Sequence, residues 1–121
     1  MTARVLVVDD NAHRITFFQN ALKGHKVLVC HHARAAIKAL RKSAFDIVFL
    51  DYGREAEPDE ENCGSEVARF IAEHAPECGR IILHTENTAG RASMESLLDN
   101  AESIPYGRLK KMGMQAVLKE K

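Results

Sequence analysis

The sequence predicts an α/β protein of (βα)5 type, in which five parallel strands form one doubly wound sheet with helices on both faces. Three observations carry this. The apolar runs Val5-Leu6-Val7-Val8, Ile47-Val48-Phe49-Leu50 and Ile81-Ile82-Leu83 are unbroken, as strands buried on both faces are, rather than alternating. The segments between them carry apolar residues at helical spacing. The two kinds alternate along 121 residues with short connections, which implies right-handed crossovers within one domain, residues 1–121.

The first run closes on Asp9-Asp10. Asn11 is a good N-cap for a helix that lines up Ile15, Phe18 and Leu22 and stops at Gly24. Residues 27–30 form the second strand, and Ala33, Ala36, Ile37 and Leu40 mark the inner face of the second helix. The third strand, residues 45–50, is the most strongly apolar and ends on Asp51. An acidic loop follows with Glu55, Glu57, Asp59, Glu60 and Glu61 at residues 54–62; it reads as solvated, and less strongly as a lid or partner surface. Residues 64–75 make a helix with Val67, Phe70 and Ile71 inward, ended by Pro76 and Gly79. The fourth strand, residues 81–83, runs into His84-Thr85, and residues 92–101 form a fourth helix with Met94, Leu97 and Leu98 on its apolar side. Ile104-Pro105-Tyr106 is expected as a fifth strand and the tail from Arg108 as a helix, which Gly113 weakens.

Lys plus Arg and Asp plus Glu each number 17, so the basic excess of a nucleic-acid binder is missing, and no nucleic-acid partner is expected. The three cysteines, Cys30, Cys63 and Cys78, are odd in number and form no C-x-x-C pair. They read as free thiols of a cytoplasmic protein. The longest apolar stretches are strand-sized, so no membrane span is expected.

In doubly wound sheets, ligands bind beyond the carboxyl ends of the strands near the topological switch point. That singles out Asp9-Asp10, Asp51, His84-Thr85 and the segment after Tyr106. Three clustered carboxylates repel one another, and a hard divalent cation such as Mg²⁺ relieves this with a few carboxylates, water and a phosphate oxygen. The metal then neutralises charge while a carboxylate attacks a phosphoryl group. A Thr hydroxyl and a Lys could hold the phosphoryl oxygens. His84 reads either as a phosphate contact or proton donor, or as a strand-end histidine bonded to backbone. His31-His32 reads as a solvated turn, and His13 as exposed helix surface. No two histidines have the i, i+4 spacing of a zinc site. Cys63 and Cys78 have no evident activating neighbour and read as inert.

The motifs resemble a response-regulator receiver domain, the CheY-like family of flavodoxin-like folds, over most of the chain. Val5-Leu6-Val7-Val8-Asp9-Asp10-Asn11 is similar to that family's first strand and acidic pair, and Phe45-Asp46-Ile47-Val48-Phe49-Leu50-Asp51 to the strand presenting the phospho-accepting aspartate. Gly64-Ser65-Glu66-Val67-Ala68 looks like the start of its third helix, and Ile81-Ile82-Leu83-His84-Thr85 like its fourth strand with the switch hydroxyl. The resemblance implies that Asp51 accepts a phosphoryl group from a kinase histidine or another phosphodonor. It also implies that Asp9, Asp10 and Asp51, with the Gly53 carbonyl, hold Mg²⁺. Thr85 would then turn toward the phosphoryl oxygens and shift the face of the fourth helix, fifth strand and fifth helix, where a downstream protein or a second copy of the chain, as a homodimer, would bind. The expected function is a stand-alone receiver of a two-component phosphorelay.

The chain departs from that pattern in three places. The loop after Asp51 lacks the usual Met-Pro turn and is acidic. No Lys-Pro closes the fifth strand: Pro105 precedes Lys110 and Lys111, so Lys110 is nominated as the phosphate cation with Arg108 as an equal candidate. Asn87 stands where the family favours a small side chain. His84-Thr85-Glu86-Asn87-Thr88-Ala89-Gly90, followed by Met94, Leu97 and Leu98, and Ile104-Pro105-Tyr106-Gly107 are similar to a cyclic-phosphate-processing receiver branch. That likeness implies an alternative: a Mg²⁺-dependent phosphohydrolase or cyclic-phosphate phosphodiesterase with Asp51 as nucleophile or metal ligand and His84 and Asn87 as phosphate contacts. A pseudo-receiver that binds partners without phosphorylation is a third reading, opposed by the retained acids.

Overall fold

The computed structural model describes residues 2–53 and 64–119; the acidic loop at 54–62 and Cys63 lie outside them. Five strands, β1 (Arg4–Val8), β2 (Lys26–Cys30), β3 (Phe45–Leu50), β4 (Cys78–Leu83) and β5 (Glu102–Ser103), pair in the order β2-β1-β3-β4-β5. Every pairing is parallel. Six helices connect and close the sheet: α1 (Ala12–Ala21), α2 (Ala33–Lys42), α3 (Gly64–His74), α4 (Thr88–Leu97), α5 (Tyr106–Met112) and α6 (Met114–Lys119). The strand order reverses between β1 and β3, so the switch point falls at Asp9 and Asp51.

Alternation along the strands splits the core into two layers. Leu6, Val8, Val48, Leu50, Ile81 and Leu83 face α2, α3 and α4, where they meet Ala36, Leu40, Val67, Phe70 and Met94. Val5, Val7, Ile47, Phe49 and Ile82 face the other way, onto Phe18 of α1 and its C-cap Leu22, Leu109 of α5, and Met114 and Val117 of α6. The unbroken apolar runs are thus the strands buried on both faces. β2, at the edge, is apolar by composition but leaves Leu28 exposed.

The last third of the chain corrects the expected boundaries. α4 begins at Thr88 rather than near residue 92, because the Asn87 side chain caps it by accepting from the Gly90 amide at 2.9 Å. β5 is Glu102–Ser103, upstream of Ile104-Pro105-Tyr106; Pro105, with no amide to give a ladder, stands at the N-cap of α5. The tail is two short helices divided at Gly113, whose φ of 84° suits glycine. Arg80 binds this end together: its Nε and Nη2 donate to Glu102 at 2.8 Å each, and its Nη1 donates to the Val117 carbonyl at 2.6 Å.

Gly64 opens α3 directly beneath the site. A Cβ there would overlap the Asp51 carbonyl oxygen and the Tyr52 backbone, neither of which can rotate away. Gly64→Ala is expected to destabilise the fold by about 2–3 kcal/mol. Gly107→Ala, where a Cβ would meet only the Glu86 carboxylate, is expected to cost less than about 0.5 kcal/mol. Urea unfolding of the two variants checks the contrast, and equal midpoints would refute it.

Candidate functional site

Register builds the site. Val8, Leu50 and Leu83 are aligned across β1, β3 and β4. The ladder continues one residue past each strand, with Asp51 N–H donating to the Val8 carbonyl at 3.0 Å and His84 N–H to the Leu50 carbonyl at 3.2 Å. Asp9, Asp51 and His84 therefore stand side by side. By alternation they point to the α1 and α5 face, and Thr85 to the α4 face.

Asp9 is the best-bonded group in the row. Its Oδ2 accepts from Arg14 Nε at 2.7 Å and from His84 Nε2 at 2.8 Å. Its Oδ1 accepts from Arg14 Nη2 at 2.9 Å and from the Asn11 amide at 2.9 Å. A carboxylate offers about four lone-pair positions, and all of them are used. Burial alone would push the Asp9 carboxyl up; the bonds from His84, Arg14 and Asn11 outweigh it and hold the carboxyl at about 2. His84 is wholly buried, 4.9 Å from the Phe18 ring centroid and 6.4 Å from that of Phe49, and its Nδ1 has no partner among the described residues.

Asp51 is less well provided for. Its Oδ2 accepts from Arg14 Nη2 at 3.3 Å and from the Gly53 amide at 3.2 Å. Its Oδ1 accepts nothing from the described residues. Burial pushes this carboxyl above its ordinary value and Asp9 adds to the effect, while His84, Arg14 and the Gly53 amide offset only part of it.

Arg14, which the sequence alone did not single out, pairs with both Asp9 and Asp51. It lies in the first turn of α1, three residues past the Asn11 cap, whose side chain accepts from the Arg14 amide. That position favours an acidic or Gln side chain, since the helix N-terminus carries partial positive charge. A basic residue there signals an anionic partner nearby. Its guanidinium also lies 5.9 Å from the centroid of Tyr106, whose hydroxyl is buried without a partner among the described residues.

The other nominated residues fall as follows. Thr85 is buried, and its hydroxyl accepts from the Asn87 amide at 3.1 Å. Asn87 spends its side-chain oxygen on the α4 cap. Lys110 is exposed, with its ammonium 5.1 Å from the Tyr106 ring centroid, and Arg108 is exposed as well; among the described residues the cation bonded to Asp51 is Arg14. Asp10 is half-buried and close enough to Arg14 to strengthen the hold of the guanidinium on its proton. His32 caps α2, accepting from the Ala35 amide at 3.4 Å, and His13 is exposed. Burial pushes the Cys30 and Cys78 thiols up, away from reactivity.

Asp9, Asp51 and His84 bring one ligand atom each to within 4.8 Å of one another. The Asp9–His84 contact is a hydrogen bond, however, and Asp9 has no acceptor position left. Asp51 Oδ1, which accepts nothing from the described residues, and the half-buried Asp10 carboxylate beside it are the hard oxygens that could reach a cation. This set fits Mg²⁺, which binds through one or two carboxylates and keeps several waters.

Residues 4–100 match the family described as "Cyclic-phosphate processing Receiver domain", and the chain belongs to it. No curated protein matches the chain. Solved structures of the same fold include the response regulator TrrA from Thermotoga maritima in complex with Mg²⁺ and BeF (23% identity, 98% of each chain covered, TM-score 0.70). The phosphorylated cyanobacterial phytochrome response regulator RcpA is 18% identical over 99% of this chain and 93% of its own, with a TM-score of 0.74. A CheY-like receiver domain protein from Methanospirillum hungatei is 17% identical over 98% and 96%, with a TM-score of 0.67. The fold is thus the flavodoxin-like receiver fold. Among the described residues no helix is long and apolar enough to cross a membrane.

The two aspartates should act oppositely on stability. Asp9 falls from its ordinary 3.8 to about 2 on folding, so its contribution is complete above about pH 4 and is lost as the pH drops toward 2. Asp51 is raised, so it favours the fold only when protonated, and that contribution is lost as the pH climbs through its folded value. Asp9→Asn is expected to cost about 3 kcal/mol at pH 7, because it removes the buried charge that Arg14 and His84 are bonded to. Asp51→Asn is expected to leave the melting temperature unchanged or raise it. Thermal unfolding of both variants from pH 3 to 8 checks this; a drop for Asp51→Asn matching that for Asp9→Asn would contradict it.

Proposed function

We propose that the chain is a phosphoacceptor receiver that takes a phosphoryl group on Asp51 in the presence of Mg²⁺ and signals through a partner-binding face. One observation carries the reading: the described residues hold Asp51 by one oxygen, Oδ2, and leave Oδ1 unbonded beside Arg14. Burial without full hydrogen bonding leaves that oxygen a better nucleophile than a solvated carboxylate. In the transfer, an Oδ1–P bond forms as the donor's P–N bond breaks, and the leaving nitrogen keeps the electron pair. The donor is the histidine of a kinase or a small phosphoramidate. Asp10, Asp51 and the Gly53 carbonyl would hold Mg²⁺, which neutralises charge on the phosphoryl oxygens when bound.

The readout runs through the β4–α4 loop. Thr85 bonds the Asn87 amide, Asn87 caps α4, and the Glu86 carboxylate accepts from the Gly107 amide of α5 at 2.7 Å. A Thr85 hydroxyl drawn to a phosphoryl oxygen would release the Asn87 amide and disturb both helices. Those helices flank β5, and their outer face is where a downstream partner would bind.

A phosphodiesterase stands second. It needs side chains that reach a phosphoester from solvent, but His84 has no exposed surface and the Asn87 side-chain oxygen is already bonded. Turnover of a cyclic phosphate that disappears in Asp51→Asn would reverse this order. For the receiver reading, intact mass after incubation with Mg²⁺ and phosphoramidate should show one phosphoryl adduct. Asp51→Asn, or chelation of the metal, should abolish it. A folded wild-type chain that gains no adduct would overturn the reading.

A further inference from the structure

We infer that Arg14 is the cation that holds the phosphoryl group on Asp51, delivered from α1 instead of from the end of the fifth strand. The inference rests on the phosphoacceptor reading of Asp51. A phosphoryl group on Asp51 adds between one and two negative charges beside Asp9 and Asp10, and such a site needs a fixed positive partner.

The residue before Pro105, where the sequence sought a lysine, is Ile104, which is only 6% exposed and packs in the layer with Phe18 and Phe49. Lys110 and Arg108 are exposed, and Lys110 lies against the Tyr106 ring. Arg14 alone among the described cations bonds Asp51.

Its geometry also suits the task. Nε and Nη2 are committed to Asp9 and Asp51, which orients the planar guanidinium. The two N–H groups of Nη1 have no acceptor among the described residues. They are a spare pair of donors on an oriented fork, the arrangement that recognises phosphate oxygens. Asp9 on one side and the Tyr106 ring on the other have already restricted the side chain, so little ordering remains to be done when the anion arrives. Asp9 is then a positioning residue for Arg14 rather than a metal ligand.

The test uses beryllofluoride with Mg²⁺, a carboxylate-bound stand-in for the phosphoryl group, titrated by NMR, alongside phosphoramidate labelling. Arg14→Met should bind beryllofluoride about 10- to 100-fold more weakly than wild type and be labelled correspondingly more slowly. Arg14→Lys, which keeps the charge but not the fork, should lose only about three- to tenfold. In wild type, the Arg14 Nε–H signal should shift on adding beryllofluoride, a readout that holds even if Arg14→Met does not fold. Unchanged affinity in a folded Arg14→Met chain, or an Arg14 signal that does not move, would overturn the role of Arg14 while leaving Asp51 as phosphoacceptor. A wild-type chain that neither labels nor binds beryllofluoride would overturn both.

Discussion

Asp9 and Asp51 enter the sheet's carboxyl edge next to each other and almost out of reach of water, with side chains 0% and 7% exposed. Desolvating one ionised carboxylate costs several kcal/mol even after relaxation, and two neighbours add repulsion. What surrounds them is arranged to meet that cost. The Asn11 amide donates to Asp9 and its side-chain oxygen accepts from the Arg14 amide, so the first turn of α1 is tied to the strand end. His84 lies under Asp9 where an apolar residue would otherwise continue the core, and its ring is closed in by Phe18 and Phe49. Most of this provision goes to Asp9, which leaves Asp51 in an unrelieved state.

The strand-end alternation then divides the site into two halves with different duties. On the α1 and α5 side lie Asp9 and Arg14, with His84 bonded to Asp9 and Tyr106 against the guanidinium. On the α4 side lie the neutral hydrogen bonds of Thr85, Asn87 and Gly90. Adjacent residues just past the end of β4, His84 and Thr85, belong to different halves because the strand's alternation carries on beyond it. Glu86 crosses between them by bonding the Gly107 amide.

Much of this was legible in the sequence where burial writes a simple pattern. The three unbroken runs became β1, β3 and β4; Asn11 capped α1 as read; the acids fell at the switch point. What was not legible depends on contacts between distant segments. Asn87 was read as a phosphate contact, but its cap function moves the start of α4 upstream. β5 was too short to have a pattern, since two residues cannot show alternation. Lys110 was nominated from its place in the chain, whereas among the described residues the cation bonded to Asp51 lies on α1. Its mark, a basic side chain against the helix dipole, was present in the sequence at Arg14.

The two core layers close at different points along the chain. The layer under α2, α3 and α4 is complete once Leu98 is in place, whereas the layer under α1 needs Leu109, Met114 and Val117. A chain leaving the ribosome from its N-terminus can therefore seal one side of the sheet early, while Phe18, Phe49 and the apolar wall around His84 stay uncovered until the final helix emerges. The charged half of the site, whose low dielectric depends on that wall, is assembled last. A nascent chain stalled before Met114 would thus carry the carboxylates without the dry surroundings that set them apart.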